Sequence, residues 1–567
     1  MTYIHNDPQN FWREMVDGFI AAHPDRVIEV PGGVVRATEI PQGQVAVVTG
    51  GGSGHYPTFP GLVGPGLAHG SAMGNIFASP STQQVYSVAK AVETGAGVIL
   101  VYGNYTGDCL NFDAAQDRLR SEGIDCETVR VTDDISSAKP DECAKRRGIA
   151  GDICVIKSAA WAAEQGRSLA DVTAFAAHAN DRLRSFGVAF SGCTLPGAEA
   201  PLFTLPDGMM GVGMGIHGEP GLRNQELLSG NEIAQMLTDG LLAEAPADGS
   251  SKVAILVDGL GSVSYEELFV LFGLVNRRLT AAGIQVVEPE VGELCTSLDM
   301  AGVSLTMFWL DDELELAWRA PADSTGYRKG AVASQATRRL RPTTTEASPQ
   351  DHVVNQDSQQ SAHLVAKALS AASAYVNTHV DELGALDAIA GDGDHGIGMQ
   401  RGAEAASKAA TKSAEQGMGP SAVLLAAGDA WADAAGGTSG ALWGLLLRSV
   451  GSELENDALT ANAVANGVQR GAAAIMRVGK AEVGDKTMVD ALVPFAAELS
   501  RQVAQHGDLL QAWRAAAQVA SEAAAATASL MAKAGRARPH AEQSIGSPDP
   551  GAVSLAGILT AIGEAMA

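Results

Sequence analysis

Three aspartates stand within eight residues in the stretch LDAIAGDGDHGIGMQRG (386–402): Asp387, Asp392 and Asp394, with Gly393 between the last two. Carboxylates gathered in one turn without basic partners repel each other, and a hard divalent cation is what joins them; magnesium is the natural ion. The spacing is not that of an EF-hand, because no glutamate stands at the twelfth position. Some forty residues on, AAGGTSGALWG (434–444) places Thr438 and Ser439 in a glycine turn that opens an apolar helix. Backbone N–H groups and two hydroxyls at a helix N-terminus suit a phosphate.

A second set of reactive residues lies in the first half of the chain. In VVTGGGSGHYP (47–57) glycines 50–52 and Gly54 follow an alternating apolar run, and Ser53 and His55 stand among them. Such a loop brings N–H groups close to something small and rich in oxygen, or it is simply a tight turn. It lacks the terminal Gly-Lys-Ser/Thr of a Walker loop, which argues against an ATP phosphate here. In GMMGVGMGIHGEPGLR (208–223) His217 stands between small neighbours, where a neutral imidazole nitrogen can add to a ketone to give a hemiaminal. A histidine packed in a turn is the plain alternative. Between them, VYGNYTGDCLNFD (101–113) sets Asp108 just after a strand and a glycine turn, where it can take a hydroxyl proton or start a helix.

The elements that must hold these groups fall into two parts. Short apolar runs at 45–48, 97–103, 128–132, 152–157, 252–261 and 284–292 alternate with helical patterns, which predicts an α/β architecture up to about residue 320. Ser264, with Glu267 three residues later, starts one helix and Gly283 stops it. The polar stretch after Trp318 reads as a linker, and the Ala-rich remainder, about 360–567, as all-helical.

The length of 567 residues allows roughly three or four domains. With 39 Lys and Arg against 65 Asp and Glu, the formal charge is −26, and no basic cluster suits nucleic acid. The six cysteines form no zinc pattern and read as reduced thiols. No signal pattern or long apolar run is present, so the expected location is the cytoplasm, with no membrane partner.

Taken together, GGGSGH, NYTGD, GIHGEPG, GDGDHG, GGTSG, GDKTM and DPGA resemble the dihydroxyacetone kinase family in its single-chain, ATP-dependent form. The resemblance implies a ketose-binding α/β module of two subdomains over residues 1–330, a linker over 331–358 and an ATP-binding barrel of antiparallel helices over 359–567. It implies a covalent hemiaminal at His217, acid or base assistance from His55 and Asp108, and substrate contacts at Gly52, Ser53 and Gly54. It places two Mg2+ ions on Asp387, Asp392 and Asp394. Nucleotide contacts fall on Asp392, Gly393, Asp394, His395, Thr438, Ser439, Gly479, Thr487, Met488, Arg536, Asp549 and Gly551. A homodimer with swapped helical modules is implied as well.

Two departures bear on the substrate. Gly103 stands where the family commonly has lysine, and Tyr56 where it commonly has glutamate. Losing a long cationic side chain beside the sugar frees space, which suggests a four-carbon ketose, erythrulose, with dihydroxyacetone as the alternative. Further alternatives are a phosphoenolpyruvate-dependent relay, FAD-AMP lyase activity and a ketose-binding regulator without catalysis.

Overall fold

The computed structural model describes residues 2–219, 221–333, 335–337, 356–391, 393–454, 459–534 and 542–566. The chain divides into two compact units, Met1–Arg341 and Pro342–Ala567.

The first unit holds two large sheets. One contains β1 (Val27–Val30), β2 (Gly33–Arg36), β3 (Ala46–Ser53), β4 (Gly70–Ile76), β5 (Val98–Gly103) and β6 (Cys126–Val131) in the order β1-β2-β4-β3-β5-β6. Here β4, β3, β5 and β6 run parallel, so the chain must cross back between strands through helices. α2 (Thr82–Val92) and α3 (Thr106–Ser121), which follow α1 (Phe11–Ala22), cover one face through Val85, Val88, Phe112 and Leu119. The other sheet joins β7 (Leu183–Ala189), β8 (Met209–Val212), β9 (Arg223–Glu226), β10 (Lys252–Gly259), β11 (Gln285–Val286), β12 (Glu290–Gly292) and β13 (Gly302–Trp309).

α4 (Asp152–Glu164) corrects one expectation. The run DICVIK was expected among the strands, but it forms this helix, in which Ile153, Cys154, Val155 and Ile156 are all buried. Its core joins strands of both sheets, including Ile99 and Val101 of β5 and Ala254 and Leu256 of β10. A helix enclosed on every side is apolar all round, and over six residues it cannot be told from a buried strand by periodicity. α5 (Leu169–Asp181) packs beside it. α6 (Gly230–Leu242) and α7 (Tyr265–Ala281) cover the second sheet; Ser264 caps α7 in a capping box with Glu267, as expected. α8 (Asp312–Arg319) follows β13. Past residue 330 the chain stays attached to this unit, with Glu39 N–H donating to Ala336 and Thr38 bridged to Thr337.

The second unit, among its described residues, is helical throughout. α9 (Gln356–Asp387), α10 (His395–Glu415), α11 (Pro420–Ala435), α12 (Gly437–Glu453), α13 (Ala461–Gly479), α14 (Val489–His506), α15 (Leu509–Ala526) and α16 (Pro550–Ala565) each pack on the next, and α16 packs back on α9. The ring is thereby closed. Short connections make successive helices from α9 to α15 antiparallel, so α10, α12 and α14 start at one rim, and α16 starts there too, with Gly551 against Met488 and Ser554 at His395. Trp443, Phe495 and Trp513 belong to the apolar core inside it. No described helix is long and apolar enough to cross a membrane.

Candidate active site

The stretch GGGS is not a loop. It is the second half of β3, fully buried, and the glycines there serve close packing. A Cβ on Gly52 would lie 2.8 Å from the Ala78 nitrogen, and one on Gly54 2.7 Å from the Phe77 ring. The Ser53 hydroxyl is likewise engaged within the protein, donating to the Gly74 carbonyl at 2.7 Å.

His55 follows directly and is 1% exposed. Its Nδ1 lies 2.8 Å from the Thr296 carbonyl oxygen and its Nε2 3.0 Å from His217 Nε2. His217, on the loop from β8 to β9, points its Nδ1 at Glu219 Oε1, 2.9 Å away, and its backbone N–H donates to Glu219 Oε2. A carbonyl and a carboxylate only accept, so both Nδ1 atoms carry hydrogen. The 3.0 Å contact between the two Nε2 atoms then needs one proton between them. The histidine pair is a cation facing an anion.

The surroundings set these charges. Burial, aided by the neighbouring His217, pushes His55 down to about 3, so a proton held at its Nε2 is readily given up. Burial would raise Glu219, but the His217 charge and hydrogen bond, with Arg147 behind, hold it well below the usual carboxylate range. Three rings stand nearly perpendicular to the His217 imidazole: His55 at 4.7 Å, Phe77 at 5.2 Å and Tyr105 at 4.8 Å between centroids. Phe77 also stacks on His55 at 4.9 Å. The imidazole plane is therefore fixed.

Asp108 sits in the first turn of α3, at the carboxyl end of β5. Burial pushes its carboxyl up to about 6, with the Ser79 hydroxyl and then His217 opposing. Its Oδ1 is buried without a hydrogen-bond partner in the protein. A buried carboxylate oxygen without a partner in the protein is free to accept a hydrogen bond from a hydroxyl. Tyr56 is 44% exposed, and its ring meets Phe19 of α1 at 6.0 Å between centroids.

Replacing Glu219 by glutamine keeps an acceptor for Nδ1 but removes the charge. The expected loss in kcat/KM for the sugar is roughly 10- to 100-fold, the worth of one charge-assisted hydrogen bond. Steady-state kinetics checks this, with affinity for nucleotide expected to stay unchanged.

In the second unit, the rim where α10, α12, α14 and α16 begin gathers the remaining candidates. Asp387 ends α9, and its Oδ2 accepts from Gly393 N–H at 2.9 Å and from His395 N–H at 3.4 Å. A Cβ on Gly391 would lie 2.3 Å from Asp387 Oδ1, so that glycine leaves room for the carboxylate. Burial and the charge of Asp387 push Asp394 up to about 6. Opposed carboxylates of this kind fit a hard divalent cation, which relieves both penalties. His395 Nε2 meets Ser554 Oγ of α16 at 2.9 Å. Thr438 and Ser439 lie in the first turn of α12, after Gly436 and Gly437 with positive φ, and no side chain caps that helix. Gly479 ends α13. Met488 is buried at the start of α14, and a Cβ on Gly551 would lie 3.4 Å from its Cβ, so these two are neighbours. Thr487 N–H donates to Asp490, while Asp549 caps α16 by accepting from Ala552 N–H at 2.7 Å. Asp392 and Arg536 lie outside the described residues.

A Dak1 domain model matches residues 17–326 and a DAK2 domain model residues 389–564. An L-erythrulose kinase of Pectobacterium atrosepticum is 53% identical over 567 residues, covering 99% of this chain and 96% of that protein. The chain belongs to the dihydroxyacetone kinase family. A D-erythrulose kinase of Mycolicibacterium smegmatis is 51% identical, over 98% of this chain and 97% of its own. The crystal structure of the dihydroxyacetone kinase from C. freundii in complex with AMP-PNP and Mg2+ is 31% identical, with a TM-score of 0.52 over 99% of both chains.

The family motifs carried most of the residues above, but several neighbours escaped sequence reading. Glu219 had a signal: a carboxylate two residues after a histidine in a tight loop can reach Nδ1. Thr296, Phe77 and Ser554 had none, because each meets its histidine only through the fold.

Proposed function

We propose that this chain is an ATP-dependent kinase that phosphorylates a terminal hydroxyl of a short ketose, with erythrulose preferred over dihydroxyacetone. The observation that carries the reading is the His55–His217 pair, with both Nδ1 atoms committed as donors and the unpartnered Asp108 oxygen nearby. The relatives named for L- and D-erythrulose support the four-carbon sugar.

The proton inventory gives the steps. His55 takes the proton shared between the Nε2 atoms, and His217 Nε2 is left with a free lone pair. That nitrogen attacks C2 of the ketose; the N–C2 bond forms, the carbonyl π pair moves to oxygen, and His55 returns the proton there as the hemiaminal hydroxyl. Glu219 holds the remaining Nδ1–H and the ring orientation. A polyol such as glycerol has no carbonyl to add to, so the tether selects ketoses. Asp108 then removes the proton of the terminal hydroxyl as its oxygen attacks the γ-phosphorus of ATP; the bond from that phosphorus to the β,γ-bridging oxygen breaks, and ADP leaves.

In the helical unit, Asp387, Asp392 and Asp394 would hold two magnesium ions, which when bound spread the charge of the triphosphate. His395, Thr438, Ser439 and the N–H groups at the helix starts would receive phosphate oxygens, and Met488 beside Gly551, with Gly479, Thr487, Arg536 and Asp549, would border the nucleoside. Sugar and nucleotide residues belong to different units, and a homodimer with swapped helical units brings them together. An ATP-coupled assay over three- to five-carbon sugars tests the function: erythrulose should give the highest kcat/KM, and a higher value for dihydroxyacetone would reject the substrate assignment.

Asp108 also gives the pH dependence. Burial raises its pKa to about 6, and it acts as a base only when ionised, so kcat/KM should fall about tenfold per unit below that pH. Asp108→Asn should lower kcat/KM by roughly 10²- to 10⁴-fold and remove this acid limb. A pH–rate profile of both proteins decides the matter.

A further inference from the structure

The reading of His217 as the ketose tether leaves open how position 103 acts on the sugar, and the structure places an intermediary between them. The Tyr105 ring stands at 88° to the His217 imidazole, 4.8 Å away between centroids. Ile149, Ala150, Ile216 and Cys295 form the small core against which it packs. Its N–H donates to the Gly103 carbonyl at 2.8 Å, tying the two residues together. A Cβ on Gly103 would lie 3.2 Å from Tyr105 Cε2 and 3.4 Å from Cδ2, with the Gly148 carbonyl oxygen at 3.3 Å. These distances are tighter than ordinary contact, so the ring would have to give by a few tenths of an ångström. Gly103 lies in β5, in a conformation open to alanine, so the obstacles are the ring and the Gly148 carbonyl and not the strand's own geometry. The Tyr105 hydroxyl is buried without a hydrogen-bond partner, and Glu219 and Arg147 are the nearest strong charges acting on it. The ring thus reaches from Gly103 to the Glu219 side of His217.

We propose that Tyr105 is the positioning residue through which position 103 sets the length of ketose accepted at His217. With glycine at 103 the ring sits back, and the imidazole carries a four-carbon adduct without crowding. A β-carbon there drives the hemmed-in ring against the imidazole and penalises the longer sugar first. The effect of position 103 is transmitted through the ring, not through direct contact with the sugar. This rests on the kinase reading above only for its assay.

The test compares wild type, Gly103→Ala, Tyr105→Leu and the double variant. Two readouts serve: the ratio of kcat/KM for erythrulose over dihydroxyacetone with ATP, and the ratio of the two covalent adducts seen by native mass spectrometry when both sugars compete without ATP. Gly103→Ala should lower both ratios by about 3- to 10-fold, as expected for a sub-ångström misplacement of a reacting group. In the Tyr105→Leu background the same substitution should leave the ratios within about twofold, because no ring remains to be displaced. Tyr105→Phe, which keeps the ring, should restore the sensitivity to Gly103→Ala. A purely structural role would lower activity toward both sugars equally and leave the ratios in place. Equal effects of Gly103→Ala with leucine and with tyrosine at 105 would overturn the proposal, as would no effect in either. Adduct ratios that move as expected while wild type phosphorylates neither sugar would reject the kinase reading and leave this inference standing.

Discussion

His217→Ala should abolish the covalent ketose adduct and lower kcat/KM for erythrulose by on the order of 10³-fold, because the reaction would lose its positioned, effectively intramolecular substrate. The loss is selective. Residual turnover should discriminate far less between erythrulose and glycerol, since recognition of the carbonyl rests on the Nε2 lone pair. Three perpendicular rings hold the imidazole plane, and Glu219 holds its Nδ1–H, so the fold presents one nitrogen to the substrate. Removing the ring leaves His55 with its Thr296 bond but without the partner that shares its proton. Native mass spectrometry with sugar, together with kinetics on both substrates, reads the two effects separately. Unchanged selectivity in the variant would exclude the tether.

Asp394→Asn should remove metal-dependent ATP turnover, with an expected fall of at least about 10³-fold and little change in sugar adduct formation. The Asp394 carboxyl is raised by desolvation and by Asp387, so neutralising it relieves a penalty in the folded chain. The variant should be no less stable to heat than wild type without Mg2+, and it should lose the stabilisation that Mg2+ and ATP give wild type. Because His217 and Asp394 belong to different units, mixing the two inactive variants tests the swapped homodimer. Recovery of a substantial fraction of wild-type activity is expected; no recovery after subunit exchange would reject the swap.

The two parts differ in how far their sequence exposes them. The helical unit declares itself through Ala-rich runs, while Asp387, Asp394, Thr438 and Ser439 were joined in one site only by the resemblance to the kinase family, because nothing in their local pattern brings them to one rim. The α/β unit was legible strand by strand, but its centre was not. Between Asp152 and Lys157 the run DICVIK is wholly apolar because both sheets enclose it, and those four residues leave no polar face to mark a helix. The glycines before His55 read as a ligand loop, whereas they are a strand whose neighbours approach too closely for any side chain. The pairing of His55 with His217 joins residues 162 apart, and Thr296 is 241 residues from His55. Contacts of that range leave no trace in local pattern. Tyr105, four rings' meeting aside, sits in a motif that points to Asp108, and only the missing Cβ at Gly103 shows what the ring does.

The central claim is that a histidine-tethered ketose receives the γ-phosphoryl group of ATP. Its most direct measurement is phosphate transfer from [γ-32P]ATP with Mg2+ to erythrulose by wild type and by His217→Ala, with the product analysed as sugar phosphate. The expected result is labelled erythrulose phosphate from wild type, faster than from dihydroxyacetone, and almost none from the variant. Wild type that forms the adduct but leaves all label in ATP, or a variant that phosphorylates erythrulose at the wild-type rate, would contradict the account.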